Sequence, residues 1–233
     1  MLAPNHSIRR SFLTGVLQAL PMQIATVPFG VIFGALAIEA GLSLVETMAM
    51  TSIVVAGAAQ LVALQMLVDQ APLWLTVATA AFVNLRMAIY SAAIAIYWRE
   101  AGPWPRVLAA WFLNDQSYAI SIRRYAEVEE PERNRVALFF GIGTCCLTCW
   151  IMACLAGAAL GTQIPEDWPI DFAVPLVFVA MTAPWLRNWP NVIVALTAGS
   201  LSVALADWAN GAGIILAISV AIVVGMLVGG KRA

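Results

Sequence analysis

The sequence predicts an all-α, polytopic membrane helix bundle, and three observations carry that prediction. Of the 233 residues, 62% are hydrophobic and only 11% are charged, whereas soluble domains carry about 25% charged residues. Apolar runs long enough to cross a hydrocarbon core of about 30 Å as a helix recur along the chain. Segments of about ten residues with alternating polarity, which are typical of membrane barrels, do not occur in the sequence.

The apolar runs predict about eight spans, some interrupted by Pro or Gly, in a single integral membrane domain over residues 1–233. The fourth span contains polar residues, and the short sixth and seventh spans also fit one hairpin that does not fully cross. The first span resembles a signal peptide, but it is too long and more spans follow it, so we expect it to be retained. The predicted spans are 14–37, 46–68, 73–97, 105–121, 137–160, 171–187, 191–206 and 210–229.

The arginines and lysines predict the orientation of the spans. With eight spans and a cytoplasmic N-terminus, most of them fall on the inside, many of them in a cytoplasmic loop over 122–136, while Arg99 and Arg106 fall outside. This asymmetry follows the positive-inside rule. A seven-span chain, which would place Lys231 and Arg232 outside, is the alternative.

Two ionisable residues lie within predicted spans. Arg86 is near the middle of the third span, where insertion costs about 2.5–3.5 kcal/mol, and Asp115 in "FLNDQSY" is its expected partner. In one interpretation the two form a structural ion pair whose hydrogen bonds Asn84 and Asn114 complete. In the other they line a solute pathway, which is the usual role of charged residues at membrane depth.

The first span carries Pro21 and Pro28, which remove backbone donors and are expected to kink or break the helix. Gly30 and Gly34 form a small-residue face suited to close helix packing. Broken helices expose backbone groups that bind solutes in many transporters, whereas ordinary packing around a proline kink is the alternative.

The second span carries Gly57 and Gln60. Gly57 again suits either close packing or a helix break. An amide such as that of Gln60 needs a hydrogen-bond partner in an apolar environment.

Several function classes find no support in the sequence. There is no phosphate-binding loop for nucleotide hydrolysis, and no nucleophile–base pair lies at depth, so an enzyme is not expected. Cys145 and Cys149 are one helical turn apart, but no His or acidic residue lies near them and no zinc pattern is matched, so packing is favoured over metal binding. No cofactor or metal is predicted.

Five segments, taken in order, resemble the AzlC-type family, the large subunit of a two-component branched-chain amino acid exporter. They are "VPFGVIFGALAIEAGLS", "AGAAQ", "NLRMAIYS", "NDQS" and "IDFAVP", and the resemblance runs from about residue 12 to 229. It implies export of valine, leucine, isoleucine or similar hydrophobic amino acids across the bacterial inner membrane, together with a small AzlD-type membrane subunit. The family commonly has His where this chain has Met87 and a second acidic residue where it has Gln116, so a proton relay through these positions is not expected.

The resulting prediction is secondary-active amino acid export. Arg86 is assigned to the carboxylate of the substrate, and Asp115 to its ammonium group or to a coupling proton. The alternatives are a membrane scaffold that does not transport, and a permease or channel for another small solute. The remaining candidate substrate-binding residues are Asn84, Gln60 and Tyr90 for hydrogen bonds, and Phe29 and Phe33 for the apolar side chain.

Overall fold

Every regular element that the computed structural model describes is a helix. The described residues are 7–129, 131–161, 179, 186, 188–206, 208 and 213–229. Their helices are α1 (Ile8–Glu39), α2 (Leu44–Ile53), α3 (Gly57–Val68), α4 (Leu73–Val83), α5 (Leu85–Ala95), α6 (Pro103–Phe112), α7 (Asp115–Glu127), α8 (Glu132–Gly161), α9 (Trp189–Ala204) and α10 (Gly213–Gly229).

Three helical stretches in the described part of the chain are long and apolar enough to cross a membrane, namely Ile8–Glu39, Leu73–Ala95 and Arg133–Gly161. The predicted count of about eight spans is therefore not confirmed. The other described apolar helices have 10–17 residues. The predicted span 171–187 and the "IDFAVP" segment lie almost entirely outside the described residues.

The chain divides into two compact units. Unit 1 comprises Met1–Gln60 and Asn84–Pro165, and unit 2 comprises Leu61–Val83 and Glu166–Ala233. In unit 2, α9 and α10 form an antiparallel pair, because Gly213 packs against Leu205 and Gly225 packs against Val194.

Unit 1 is built around the close packing of α1 on α8. Gly15 of α1 faces the backbone of Leu138, and Gly34 faces the backbone of Cys154 and Ala158, so the two helices run parallel. A Cβ atom added to Gly34 would lie 2.7 Å from the nitrogen of Ala158. The glycines of α8 in turn lie against backbone atoms of α1.

The packing predicted for Gly30 and Gly34 is confirmed by this interface. A Cβ atom on Gly30 would lie 2.8 Å from the Cβ atom of Ala153. Pro21 and Pro28 are expected to kink or break the helix; neither breaks it, because α1 is continuous through both residues, and the kink stays a prediction. A neighbouring helix packed along α1 supports a proline-containing helix that would otherwise open.

Helix breaks occur instead at three other places. Residues 54–56 separate α2 from α3, Asn84 separates α4 from α5, and residues 113–114 separate α6 from α7. At the last break the side chain of Asn114 accepts hydrogen bonds from the backbone nitrogens of Gln116 (3.1 Å) and Ser117 (2.9 Å). Asn114 thereby caps α7, which is a favourable use of an amide at a helix start.

The helices α6 and α7 form a hairpin whose two outer ends lie together. Just before α6, Trp98 Nε1 donates to the hydroxyl of Tyr125 near the end of α7 (3.3 Å). A cavity of about 910 Å³ is lined by Glu100 and Pro105 as well as by Arg9 and Arg133. The start of α6 therefore lies beside the starts of α1 and α8.

The structure divides the predicted span 105–121 into two helices. With 10 and 13 residues, α6 and α7 are about 15 and 20 Å long at 1.5 Å per residue, so neither helix alone has the length of a hydrocarbon core of about 30 Å. Arg99 and Arg106 lie at the same end of unit 1 as Arg9. The predicted eight-span order would instead separate these two arginines from Arg9, and the side of the membrane that they face stays a prediction.

Candidate functional site

Arg86 and Asp115 form an ion pair between the first turns of α5 and α7. Nη2 of Arg86 lies 3.3 Å from Oδ2 of Asp115, so the pairing expected from the sequence is present. The hydroxyl of Tyr90 donates to Oδ1 of Asp115 at 3.0 Å. The Tyr90 ring stacks on that of Tyr118, with 4.2 Å between centroids and 8° between planes. Both oxygens of Asp115 are therefore engaged.

The helix breaks at Asn84 and at residues 113–114 determine where this ion pair lies. α5 begins one residue after Asn84 and α7 begins with Asp115 itself, so the two helix starts meet. A carboxylate in the first turn of a helix is stabilised by the helix dipole. The helices run parallel from there, since the rings of Tyr97 and Tyr125 lie 5.2 Å apart further along.

The pair is neither sealed nor fully hydrogen-bonded. The side chain of Arg86 is 30% exposed and that of Asp115 is 44% exposed. Among the described residues, neither Nε of Arg86 nor Oδ1 of Asn84 has a hydrogen-bond partner. Asn114 caps α7 instead. In the described residues neither Oδ1 of Asn84 nor the side chain of Asn114 completes the hydrogen bonds of the pair, whereas the pair itself fits both the structural and the solute-pathway interpretation.

A second group of predicted residues surrounds Trp150 of α8. Its indole nitrogen donates to Oε1 of the fully buried Gln60 at 3.2 Å. The rings of Phe29 and Phe33 lie 5.6 and 6.4 Å from that of Trp150. A Cβ atom on Gly57 would lie 2.8 Å from Cη2 of Trp150, so only glycine admits the indole so close.

The structure thus divides the candidate residues into two groups. Arg86, Tyr90 and Asp115 share one set of contacts, whereas Gln60, Phe29, Phe33 and Gly57 meet at Trp150. Sequence reasoning missed Trp150. The available signal was its position in the middle of the predicted span 137–160, since tryptophans in membrane proteins favour the interfaces.

A chain of polar side chains joins α7 to α1 and α8 next to the ion pair. Nε2 of Gln23 donates to Oε1 of Gln116 (3.2 Å) and to Sγ of Cys146 (3.4 Å), and Nε2 of Gln116 donates to Oγ1 of Thr26. Since Gln116 follows Asp115 directly, these bonds hold the first turn of α7 against α1. All four cysteines are free thiols, and the described residues contain no cluster of ligands for a metal ion.

A helical chain with stretches long and apolar enough to cross a bilayer, and with an accessible ion pair where helices break, belongs to the class of polytopic membrane proteins with a polar interior site. More particularly, the chain belongs to the AzlC family. The family model described as "AzlC protein" matches residues 21–164, which include both groups of candidate residues. This family is associated with membrane transport.

The chain is also similar to individual proteins. It is 28% identical over 205 residues to an uncharacterized membrane protein of Archaeoglobus fulgidus, covering 85% of this chain and 87% of the relative. It is 25% identical over 199 residues to the inner membrane protein YgaZ of Escherichia coli, covering 82% and 80%. An uncharacterized membrane protein of Helicobacter pylori is 22% identical over 199 residues, covering 82% and 86%. No solved structure matches the chain significantly.

Proposed function

We propose that the protein is the large subunit of a two-component secondary transporter that exports branched-chain or similar hydrophobic amino acids. The observation that carries this proposal is the accessible Arg86–Asp115 pair, in which opposite charges lie 3.3 Å apart where two helices begin. Charged groups at membrane depth are costly and mark solute pathways. Membership of the AzlC family, together with the resemblance of the motifs to the exporter subunit, supports the choice of substrate.

The pair is suited to a zwitterion. Arg86 binds the carboxylate of the amino acid, because a guanidinium matches a carboxylate in bidentate fashion. Asp115 then takes the ammonium group, or a coupling proton, while the hydroxyl of Tyr90 holds the carboxylate of Asp115 in place. The unpartnered Oδ1 of Asn84 offers the ammonium a further acceptor. Substrate binding thus replaces the Arg86–Asp115 ion pair by two ion pairs, one between Arg86 and the carboxylate and one between Asp115 and the ammonium group.

The distribution of arginines supports an orientation of the transporter in the membrane. Arg9, Arg99, Arg106 and Arg133 lie at one end of unit 1, and the positive-inside rule makes that end cytoplasmic in a bacterial inner membrane. This orientation puts the N-terminus in the cytoplasm. A small AzlD-type membrane subunit is the proposed partner.

A permease or channel for another small solute is the second candidate, because an accessible ion pair binds other zwitterions equally well. A scaffold that does not transport is less favoured, since its charged pair should be closed, whereas Asp115 is 44% exposed. Uptake of a panel of solutes into proteoliposomes separates the first two functions.

The direct test is efflux of preloaded labelled leucine from cells that produce wild type or Arg86→Ala at equal levels. We expect efflux to fall to the background of cells without the protein. Arg99→Ala is the matched control, because Arg99 is an exposed arginine at the basic end of unit 1. Unchanged efflux in Arg86→Ala would remove Arg86 from the substrate site.

A further inference from the structure

The break between α2 and α3 leaves the start of a long helix without a side-chain cap. α3 runs for 12 residues from Gly57, and the N–H groups of the first turn of a helix have no acceptor within it. Residues 54–56, "VVA", carry no polar side-chain atom that accepts a hydrogen bond. The N–H group of Gln60 bonds to the carbonyl of Ala56 at 3.0 Å. Within the described part of the chain, the N–H groups of residues 57–59 have no acceptor.

The side chain of Gln60 supplies a further donor at this place. The residue is 0% exposed, and Oε1 accepts the indole N–H of Trp150. Because an indole N–H only donates, it fixes which end of the amide is the oxygen. Nε2 is left without a hydrogen-bond partner among the described residues. A buried donor without an acceptor is costly, so Nε2 of Gln60 can offer a hydrogen bond to a ligand.

Helix geometry directs the side chain of Gln60 toward the first turn of α3. It follows Gly57 by three residues, so the two share a face of the helix, and side chains in helices lean toward the N-terminus. Trp150, which bonds Gln60, also lies against Gly57, and Cδ1 of Phe29 would be 3.2 Å from a Cβ atom there. Backbone donors, an amide donor and two aromatic rings therefore meet at one place. Gly57 and Ala58 are only half-buried, so the first turn is not sealed.

We propose that the start of α3, with Gln60, is a second carboxylate-binding site, which takes the carboxylate of a small acid with a branched apolar chain. The positive end of a helix dipole and converging N–H groups favour an anion, and the rings of Phe29 and Trp150 favour an apolar chain. In this structure Nη2 of Arg86 is engaged by Asp115, whereas Nε2 of Gln60 has no partner among the described residues. This inference rests on the proposed function, because the acid that binds here is the transported amino acid.

The test is isothermal titration calorimetry of the purified full-length protein with 3-methylbutanoate, which has the carboxylate and branched chain but no ammonium group. Gln60→Met keeps the size and removes the donor, and we expect affinity to fall about tenfold to hundredfold. Arg99→Ala should retain wild-type affinity, because neither proposed site uses this exposed arginine. 3-Methylbutylamine, a cation with the same chain, should not bind.

The outcomes of these measurements distinguish the second carboxylate site from the proposed transport function. Absence of 3-methylbutanoate binding to wild type, equal affinity in Gln60→Met, or equal binding of the amine would each overturn the proposal. If Gln60→Met does not fold, Trp150→Phe carries the same test, since it removes the N–H that orients the amide of Gln60. Leucine efflux, measured on the same preparations, reports on the proposed function independently. Efflux without binding of the acid refutes only the second site, and binding without efflux refutes only the transport function.

Discussion

At the scale of single residues, the costly feature of the sequence is the charge of Arg86, and the structure resolves it by pairing. Asp115 lies 3.3 Å away and Tyr90 donates to its second oxygen. The pair is partly exposed and Nε of Arg86 has no partner among the described residues. Because the pair is accessible and incompletely hydrogen-bonded, each of its charges can exchange its present partner for the opposite charge of a zwitterion.

Neutralising one member of the pair should be worse for stability than neutralising both. We expect Arg86→Gln and Asp115→Asn each to lower the melting temperature, because each leaves one charge unpaired. The loss should be smaller than the about 3–5 kcal/mol typical of fully buried pairs. The double variant should recover much of this loss while transporting no leucine. Thermal unfolding followed by tryptophan fluorescence measures the stability, and additive losses in the double variant would contradict a pair.

The contact between Gln23 and Gln116 should couple α1 to the first turn of α7. A double-mutant cycle with Gln23→Leu and Gln116→Leu isolates the hydrogen bond between them. We expect a coupling of about 1 kcal/mol, the usual net worth of such a bond, from chemical denaturation of the four proteins. A coupling of zero would mean that this amide contact does not hold α7 in place.

Some of these residue contacts were predictable from the sequence and others were not. Arg86 and Asp115 stand out because charge is rare in apolar spans, and each needs a partner of opposite sign. Gln60 stood out because an amide in an apolar span needs a partner, but its partner Trp150 was missed, although a tryptophan in the middle of a span is unusual. The separation of Gln60 from the ion pair depends on the tertiary contact of Gln60 with Trp150, which no local pattern encodes.

At the scale of helices, the return of α6 and α7 to one end of unit 1 is the main departure from the sequence prediction. The run 105–121 has the length of a crossing helix, but its polar "LNDQS" interrupts the helix, and Asn114 caps the next one. Whether the chain then continues or turns back is decided by tertiary contacts, such as that between Trp98 and Tyr125. Local hydropathy carries no such information.

The hairpin predicts that loops on either side of it face the same compartment. In a background without the native cysteines, Arg99→Cys and Glu129→Cys should both react with a membrane-impermeant maleimide from one side of the membrane. Gly41→Cys, beyond the opposite end of α1, should react from the other side. All three positions are exposed. Labelling of Arg99→Cys together with Gly41→Cys would instead support a full crossing by 105–121.

The parallel packing of α1 on α8 should tolerate no side chain at its glycines. Gly34→Leu forces the two backbones apart, and we expect it to destabilise by at least the about 1–3 kcal/mol typical of overpacked cores. Gly199→Ala is the control, because nothing lies within 4 Å of a Cβ atom there. Melting temperatures of the purified variants check this prediction, and equal stability of Gly34→Leu and wild type would exclude the close packing.

At the scale of the whole molecule, the helical membrane class follows from composition, and the three long apolar stretches agree with it. The number of spans is not confirmed, since hydropathy does not distinguish a crossing from a hairpin. Membership of the AzlC family connects this architecture to transport. The accessible ion pair gives that connection a chemical basis, because it offers both charges that an amino acid requires.

The central claim is that the Arg86–Asp115 pair binds a transported amino acid, and the most direct measurement is leucine efflux from proteoliposomes under a set pH gradient. The purified protein is reconstituted with and without its proposed small subunit, as wild type and as Arg86→Gln/Asp115→Asn. We predict that wild type with the subunit releases leucine faster than protein-free liposomes, and that the folded double variant releases it at the protein-free rate. Equal efflux by wild type and the double variant would contradict the account.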